Sequence, residues 1–344
     1  MKYIALVLAL VVLCASCSTD IDEKPQFFHV EVEGALLPVL VRGSQATEKI
    51  VLYVNGGPGG TGLDVAELDP GNWQDYLEPD VAIAYYDQRG TGNAQCRFTQ
   101  ESMTLNQYVD DIHAILHVLY ERYPRARLYL MGHSFGAMLC YRYMNTYGDA
   151  HLVEKYIAAS GVATRLKDEE HWEIRKAFVR SVANENITNG VDEEYWTNAL
   201  NWIAEHEEMS EIEERAELFQ HMQKVAIEEA AEIEFKDVYN ILLFSENNFF
   251  PYYLHLKKRQ GAYNQLVDEE RQWDIKSEIP ELKFPLLLIG GAYDISVPPQ
   301  ELEWVYEQVA STEKELVILP DAGHDHYISQ PELFANAVLT FLDD

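Results

Sequence analysis

The segment that most constrains this chain is Leu128-Tyr129-Leu130-Met131-Gly132-His133-Ser134-Phe135-Gly136, an apolar run that passes through Gly-x-Ser-x-Gly into a helical stretch from Phe135 to Tyr147. A serine on a sharp strand-to-helix turn projects its hydroxyl from the end of a sheet. Glycines on either side remove the Cβ atoms that would obstruct such a turn. The five-residue pattern alone arises by chance in many chains; the strand before it and the helix after it make it specific. His133 sits too close in sequence to turn onto Ser134 as its base and reads as a packing or hydrogen-bonding residue.

The rest of the sequence supplies the fold that such a turn needs. Phe27–Val32 and Leu36–Val41, joined by Glu33-Gly34-Ala35, read as an N-terminal hairpin. Ile50–Val54, Val81–Tyr86, Leu128–Met131, Tyr156–Ala159, Pro285–Ile289 and Leu316–Leu319 are short apolar runs. Runs apolar on both faces suit central strands of a parallel sheet. Helical stretches intervene at Leu105–Tyr123, Phe135–Tyr147, Gln300–Val309 and Pro331–Leu342. The alternation predicts an α/β fold, a mostly parallel central sheet flanked by helices on both faces. A chain of 344 residues buries a sizeable core without disulfides or metal.

Between residues 164 and 279 the pattern changes. Strand-like runs vanish, and Asp192 to Asp237 holds fifteen Asp/Glu against three Lys/Arg, with large apolar residues at helical spacing. This predicts a helical cap domain inserted between two strands, over the strands' C-terminal edge where open α/β sheets bind ligands. Residues 27–163 and 280–344 then form the catalytic domain, and 18–26 a short tether. The acidic run reads as a solvated helical face that also favours cationic ligands. The whole chain carries 26 Lys+Arg against 57 Asp+Glu, a formal charge of −31. That charge disfavours nucleic acid and anionic lipid surfaces as partners.

The first residues read as a leader. Lys2 precedes an apolar run, Ile4 to Leu13, too short to span a bilayer but of the length of a secretory core. Leu13-Cys14-Ala15-Ser16-Cys17 resembles a bacterial lipoprotein signal, which implies lipidation at Cys17 as the first mature residue, with plain cleavage the alternative. Either predicts export to the bacterial cell envelope, with a membrane contacted only through a lipid anchor. Cys96 and Cys140 then remain. A bridge between them is open in an oxidising compartment, although Cys140 lies in a segment that reads as a buried helix, where a thiol serves as a small apolar group.

A serine hydroxyl becomes a nucleophile only when a base takes its proton, and the base needs an orienting acid. Leu286-Leu287-Leu288-Ile289-Gly290-Gly291-Ala292-Tyr293-Asp294 places Asp294 just past one buried strand, and Leu316-Val317-Ile318-Leu319-Pro320-Asp321-Ala322-Gly323-His324 places His324 just past the next. Ser, Asp, His is the chain order of elbow enzymes. Asp294 could instead cap a helix, and His326, two residues on, competes with His324 as base. Asp321 and Asp325 read as solvated charges. An oxyanion needs two preorganised N–H donors: Val54-Asn55-Gly56-Gly57-Pro58-Gly59-Gly60 after a strand offers Gly57, and the helix start after Ser134 offers Phe135. A P-loop is excluded because its Lys and Ser/Thr are missing. No metal or organic cofactor is required.

Asn55-Gly56-Gly57-Pro58-Gly59, Asp87-Gln88-Arg89-Gly90-Thr91-Gly92, the Ser134 elbow, Asp294 and Gly323-His324 together resemble the proline iminopeptidases (prolyl aminopeptidases) of the α/β-hydrolase fold. The likeness spans roughly Phe27 to Cys140 and Phe284 to Asp344. It departs at Asn55, where that family usually has His, and at Phe135, where it usually has Trp; neither change removes a backbone donor. Asp87 and Arg89 read as residues that hold the loop after their strand. The resemblance implies a serine aminopeptidase that releases an N-terminal residue, proline, from short peptides with a free N-terminus. Within the cap, Ser245-Glu246-Asn247-Asn248-Phe249-Phe250 resembles the family's Glu-Asn-His-Tyr-Phe segment, which implies Glu246 as the amine-binding carboxylate and Phe250 as a wall of the proline pocket. For a second cap carboxylate, Glu205 is one candidate among many. Two alternatives stay open at this point: an esterase or other small-acyl hydrolase on the same triad, and a non-catalytic envelope binding protein that kept the fold.

Overall fold

In the computed structural model, which describes residues 24–44, 46, 48–97, 99, 101–147, 152–163, 169–206, 264, 266–269 and 275–344, the apolar runs assemble into one sheet. The leader with Cys17 and the cap segment with Glu246 and Phe250 lie outside the described residues. The strands are β1 (Gln26–Val32), β2 (Ala35–Gly43), β3 (Lys49–Val54), β4 (Ala82–Tyr86), β5 (Gln95–Cys96), β6 (Arg127–His133), β7 (Tyr156–Ala159), β8 (Leu286–Gly291) and β9 (Lys314–Leu319). Their spatial order is β1-β2-β4-β3-β6-β7-β8-β9, with β5 paired to β2. The hairpin edge is antiparallel; from β4 through β9 every neighbouring pair is parallel.

Burial on both faces explains why the central runs are continuously apolar. Ile50, Leu52 and Val54 of β3, with Leu128 and Leu130 of β6, pack into one core layer. Val51 and Tyr53, with Tyr129 and Met131, pack into the other. The first layer is covered by α3 (Leu105–Arg122) and α4 (Phe135–Tyr147). The second is covered by α1 (Gly62–Leu68) and α2 (Trp73–Tyr76), whose Ala66 and Trp73 are buried there, and by Phe334, Val338 and Phe341 of α8 (Pro331–Asp343). Among the described residues no disulfide joins Cys96 and Cys140, and Cys140 is a fully buried member of the first layer.

The described residues within 164–279 include two long helices, α5 (Glu169–Thr188) and α6 (Glu193–Glu205). Trp172, Phe178 and Val179 of α5 and Trp196, Ala199 and Ile203 of α6 form a third cluster, which also takes in Ile295 from the loop after β8. The Arg175 guanidinium donates to the Ser296 carbonyl in the same loop. The acidic residues Asp192, Glu193, Glu194 and Glu205 are exposed. No helix among the described residues is long and apolar enough to cross a membrane.

The strand order fixes where a site can form. The chain places β4 on one side of β3, then crosses back to place β6 on the other, so the loops leaving β3 and β6 diverge and open a crevice at the C-terminal edge of the sheet. After β6 the chain steps outward through β7, β8 and β9. The loops after these strands follow one another along the same edge.

Candidate active site

Ser134 follows β6 directly, and its backbone carries φ +53°, a left-handed conformation that costs a non-glycine residue about 1–3 kcal/mol. The surrounding contacts enforce it. Ser134 N donates to Ala159 O at 2.9 Å, and Ser134 O accepts from Ala137 N at 3.0 Å in the first turn of α4. A Cβ on Gly136 would stand 2.1 Å from the Val54 carbonyl oxygen, and one on Gly132 would stand 2.6 Å from Ala137 Cα. Only glycine fits at either place, so the two glycines of the motif are there for close packing of β3, β6 and α4.

The loop after β8 carries Asp294, fully buried, and the loop after β9 carries His324, whose side chain is 26% exposed. His324 Nδ1 lies 2.9 Å from Asp294 Oδ2 and 3.1 Å from Oδ1. A carboxylate can only accept, so Nδ1 is the protonated nitrogen and Nε2 carries the ring's lone pair. Asp294 does not cap the helix that follows, α7 (Pro299–Gln308), which has no side-chain cap; its Oδ1 instead accepts from Val297 N at 2.8 Å within the loop. Burial pushes the Asp294 carboxyl up; His324 beside it, with the Val297 N–H and the Ser160 hydroxyl, outweighs burial and holds it below the ordinary carboxylate range. His326 is not the partner of Asp294. It is fully buried, with Nδ1 directed at the His324 carbonyl.

Ser134, His133, His324, Asp325, Tyr327 and the Asn55–Gly60 loop line one cavity of about 360 Å³. The Ser134 hydroxyl and the His324 ring share it, with no hydrogen bond between them among those described. Catalytic pairs are commonly loose until substrate aligns them. A larger cleft of about 980 Å³, lined by Arg142, Asn145, Glu278 and Lys283 among others, contains none of these groups.

The glycine loop after β3 is pinned by two amides. Asn55 Oδ1 accepts from Gly56 N at 2.8 Å and from Tyr53 Oη at 3.1 Å, while its Nδ2 donates to Thr61 O at 2.9 Å. Gln88 donates to Asn55 O at 2.7 Å and accepts from Gly59 N at 3.1 Å. Gly57 has φ +139°. Among the described residues neither the Gly57 nor the Phe135 N–H has a hydrogen-bond acceptor. Asp87 and Arg89 hold this region from below without pairing with each other. Asp87 accepts from Leu63 N at 3.1 Å and Asn93 N at 2.8 Å, and buried Arg89 donates to Asp111 through Nε at 2.6 Å and again through Nη2.

Sequence reasoning missed Ser160 and the roles of Asn55 and Gln88. Ser160 follows β7, is fully buried with φ +44°, helps hold the Asp294 carboxyl low, and has its Oγ 3.4 Å from His326 Nδ1. Its place just past a strand end, like Asp294 and His324, is the one signal that could have pointed to it. Glu246 and Phe250 lie outside the described residues; Glu205 ends α6 exposed to solvent. Among the described residues no cluster of three or more His, Cys, Asp or Glu side chains is arranged to hold a metal.

A mostly parallel sheet with a serine on a strand-to-helix turn at its switch point, and an acid and a histidine paired past the ends of β8 and β9, is the arrangement expected of an α/β-hydrolase fold. The sequence matches the alpha/beta hydrolase fold over residues 49–331, and the chain belongs to that family. It is 23% identical over 309 residues to the probable aminopeptidase YbaC of Bacillus subtilis (strain 168), covering 87% of this chain and 91% of the relative. It is 22% identical over 287 residues to a proline iminopeptidase of Chitinophaga pinensis, covering 80% and 87%. Among solved structures, the esterase EaEST from Exiguobacterium antarcticum superposes with a TM-score of 0.59 at 15% identity, covering 93% of this chain and 99% of that one.

Proposed function

We propose that the protein is a serine aminopeptidase that releases an N-terminal residue, preferentially proline, from short peptides. The observation that carries the reading is His324, which meets the buried Asp294 carboxylate through Nδ1 and lines one cavity with Ser134. Ser134 attacks the carbonyl carbon of the N-terminal residue, and His324 Nε2 takes the hydroxyl proton. Asp294 steadies the imidazolium that results. The Gly57 and Phe135 N–H groups receive the oxyanion. His324 then returns the proton to the departing peptide amine, leaving an acyl-enzyme, and a water activated by the same ring releases the free amino acid.

Two curated relatives with aminopeptidase names, each matched along most of both chains, support the substrate class. An α-ammonium needs a carboxylate partner in a partly desolvated place, and Glu246 is assigned that part, with Phe250 against the proline ring. Cys17 is assigned as the lipid attachment site of an exported form. A second reading, an esterase on the same triad, is favoured by one observation: among the described residues lining the cavity, Asp325 is the one carboxylate.

Turnover of a proline arylamide by wild type and Ser134→Ala tests the reading. Turnover that vanishes in the variant supports it, and unchanged turnover refutes it. N-acetylation of the substrate separates the two readings, because an aminopeptidase loses its substrate and an esterase of the same scaffold keeps simple esters. Glu246→Gln should weaken free-amine substrates and spare those esters; equal loss on both would remove the amine-holding role.

A further inference from the structure

The main-chain carbonyl of His324 is approached by two imidazoles. His133 Nε2 lies 3.0 Å from the oxygen and His326 Nδ1 lies 3.1 Å from it. Both rings are buried, at 5% and 0% exposure. A carbonyl oxygen has two lone pairs, so each ring occupies one.

Both rings are neutral at ordinary pH. Burial, then the neighbouring His324, holds His133 below the usual histidine range. Burial, then His133, pushes His326 down to about 4. A neutral imidazole has one N–H, and the acceptor it meets decides which nitrogen bears it. The carbonyl therefore fixes His133 as its Nε2–H form and His326 as its Nδ1–H form. In keeping with this, His326 Nε2 is buried with no hydrogen-bond partner. Asp325 Oδ1, 3.5 Å from His133 Nε2, is a second acceptor on the same side of that ring.

We infer that His133 and His326 are positioning residues that clamp the backbone of His324 between the nucleophile strand and the acid loop, and so set the direction in which its ring faces Ser134. The inference rests on the triad reading of Ser134, His324 and Asp294. Each ring ties the carbonyl to a different part of the site. His133 is the residue before Ser134 at the end of β6, so its ring joins the base loop to the nucleophile's own strand. His326 Nδ1 also stands 3.4 Å from Ser160 Oγ, whose hydroxyl helps hold the Asp294 carboxyl low, so it faces the acid side of the site. The His133 and His324 ring centroids are 5.0 Å apart. A charged donor at that distance would oppose the imidazolium that forms on His324; neutral donors hold the loop without that penalty.

Amide side chains distinguish the two nitrogens. The Asn carboxamide nitrogen takes the place of Nδ1 and the Gln nitrogen that of Nε2, so each position has a matched and a mismatched replacement. Purified full-length variants are compared in fluorophosphonate labelling of Ser134, resolving the maximal rate from the half-saturating concentration, with thermal melts alongside. The matched variants His133→Gln and His326→Asn are expected to label within about threefold of wild type. The mismatched variants His133→Asn and His326→Gln are expected to lose about 10- to 100-fold in maximal rate, with little change in half-saturation or melting temperature, as expected when a reacting group is displaced by about 1 Å. Matched and mismatched variants that behave alike at both positions would overturn the clamp, whether all are fast or all are slow. His324→Ala is the control for the underlying reading: if it labels as fast as wild type, the triad assignment fails, and if it is inert while all four amide variants label normally, only the clamp fails.

Discussion

Asp294 Oδ2 stands 2.9 Å from His324 Nδ1, with the acid fully buried and the ring partly open to the cavity. The loops after β8 and β9 thus meet such that one oxygen contact decides which imidazole nitrogen carries the proton. Everything chemical at this edge of the sheet depends on that choice, because it leaves the lone pair on Nε2.

Replacing Asp294 with Asn preserves shape but offers an amide whose N–H₂ group can drive the ring into the other tautomer. We expect kcat on a proline arylamide to fall by about 10³- to 10⁴-fold with KM little changed. Steady-state kinetics on the purified variant check this, and a loss confined to KM would point to a binding role instead.

His326 gives the fold a pH dependence with a definite sign. Its ordinary value is 6.5 and burial pushes it to about 4 in the folded chain. Between those limits the unfolded chain binds the extra proton, so this group's contribution is intact above pH 6.5 and is lost as pH falls towards 4. Its largest effect is of order 3 kcal/mol. Melting temperature against pH should therefore rise less steeply from pH 4 to 6.5 in His326→Asn than in wild type; parallel curves would contradict the assignment.

Much of the scaffold is legible in the sequence because burial on two faces leaves a strong mark. Ile50–Val54 and Leu286–Ile289 read as interior, and their β-sized length, each ending in a glycine-rich stretch, separates them from helices. The elbow and the Asp294 and His324 loops are legible for a related reason, since each directly follows such a strand. Short elements leave no period to read: α1 has seven residues, α2 four and β5 two. Ser160, Gln88 and the particular partner of the His133 ring are illegible in another way. Each turns on a lone polar side chain whose part is set by what the sheet order brings beside it, and sequence spacing does not encode that neighbour.

Gln88 tests how far the glycine loop depends on its supports. It spans the loop with one donated and one accepted bond, 2.7 Å and 3.1 Å long. Gln88→Leu keeps the bulk and removes both. The loop should loosen around Gly57, and kcat should drop about 10- to 100-fold, somewhat less than deletion of an oxyanion donor outright. Kinetics with a thermal melt distinguish this from general unfolding, which would lower the folded fraction as well.

The most direct test of the account is to ask which atom reacts. Wild type and His324→Gln are treated with a fluorophosphonate, and the modified residue is mapped by mass spectrometry. The account predicts a single adduct on Ser134 in wild type and its loss, by about 10³-fold in rate, in the variant. An adduct elsewhere, or labelling of Ser134 at the same rate without the His324 imidazole, would contradict it.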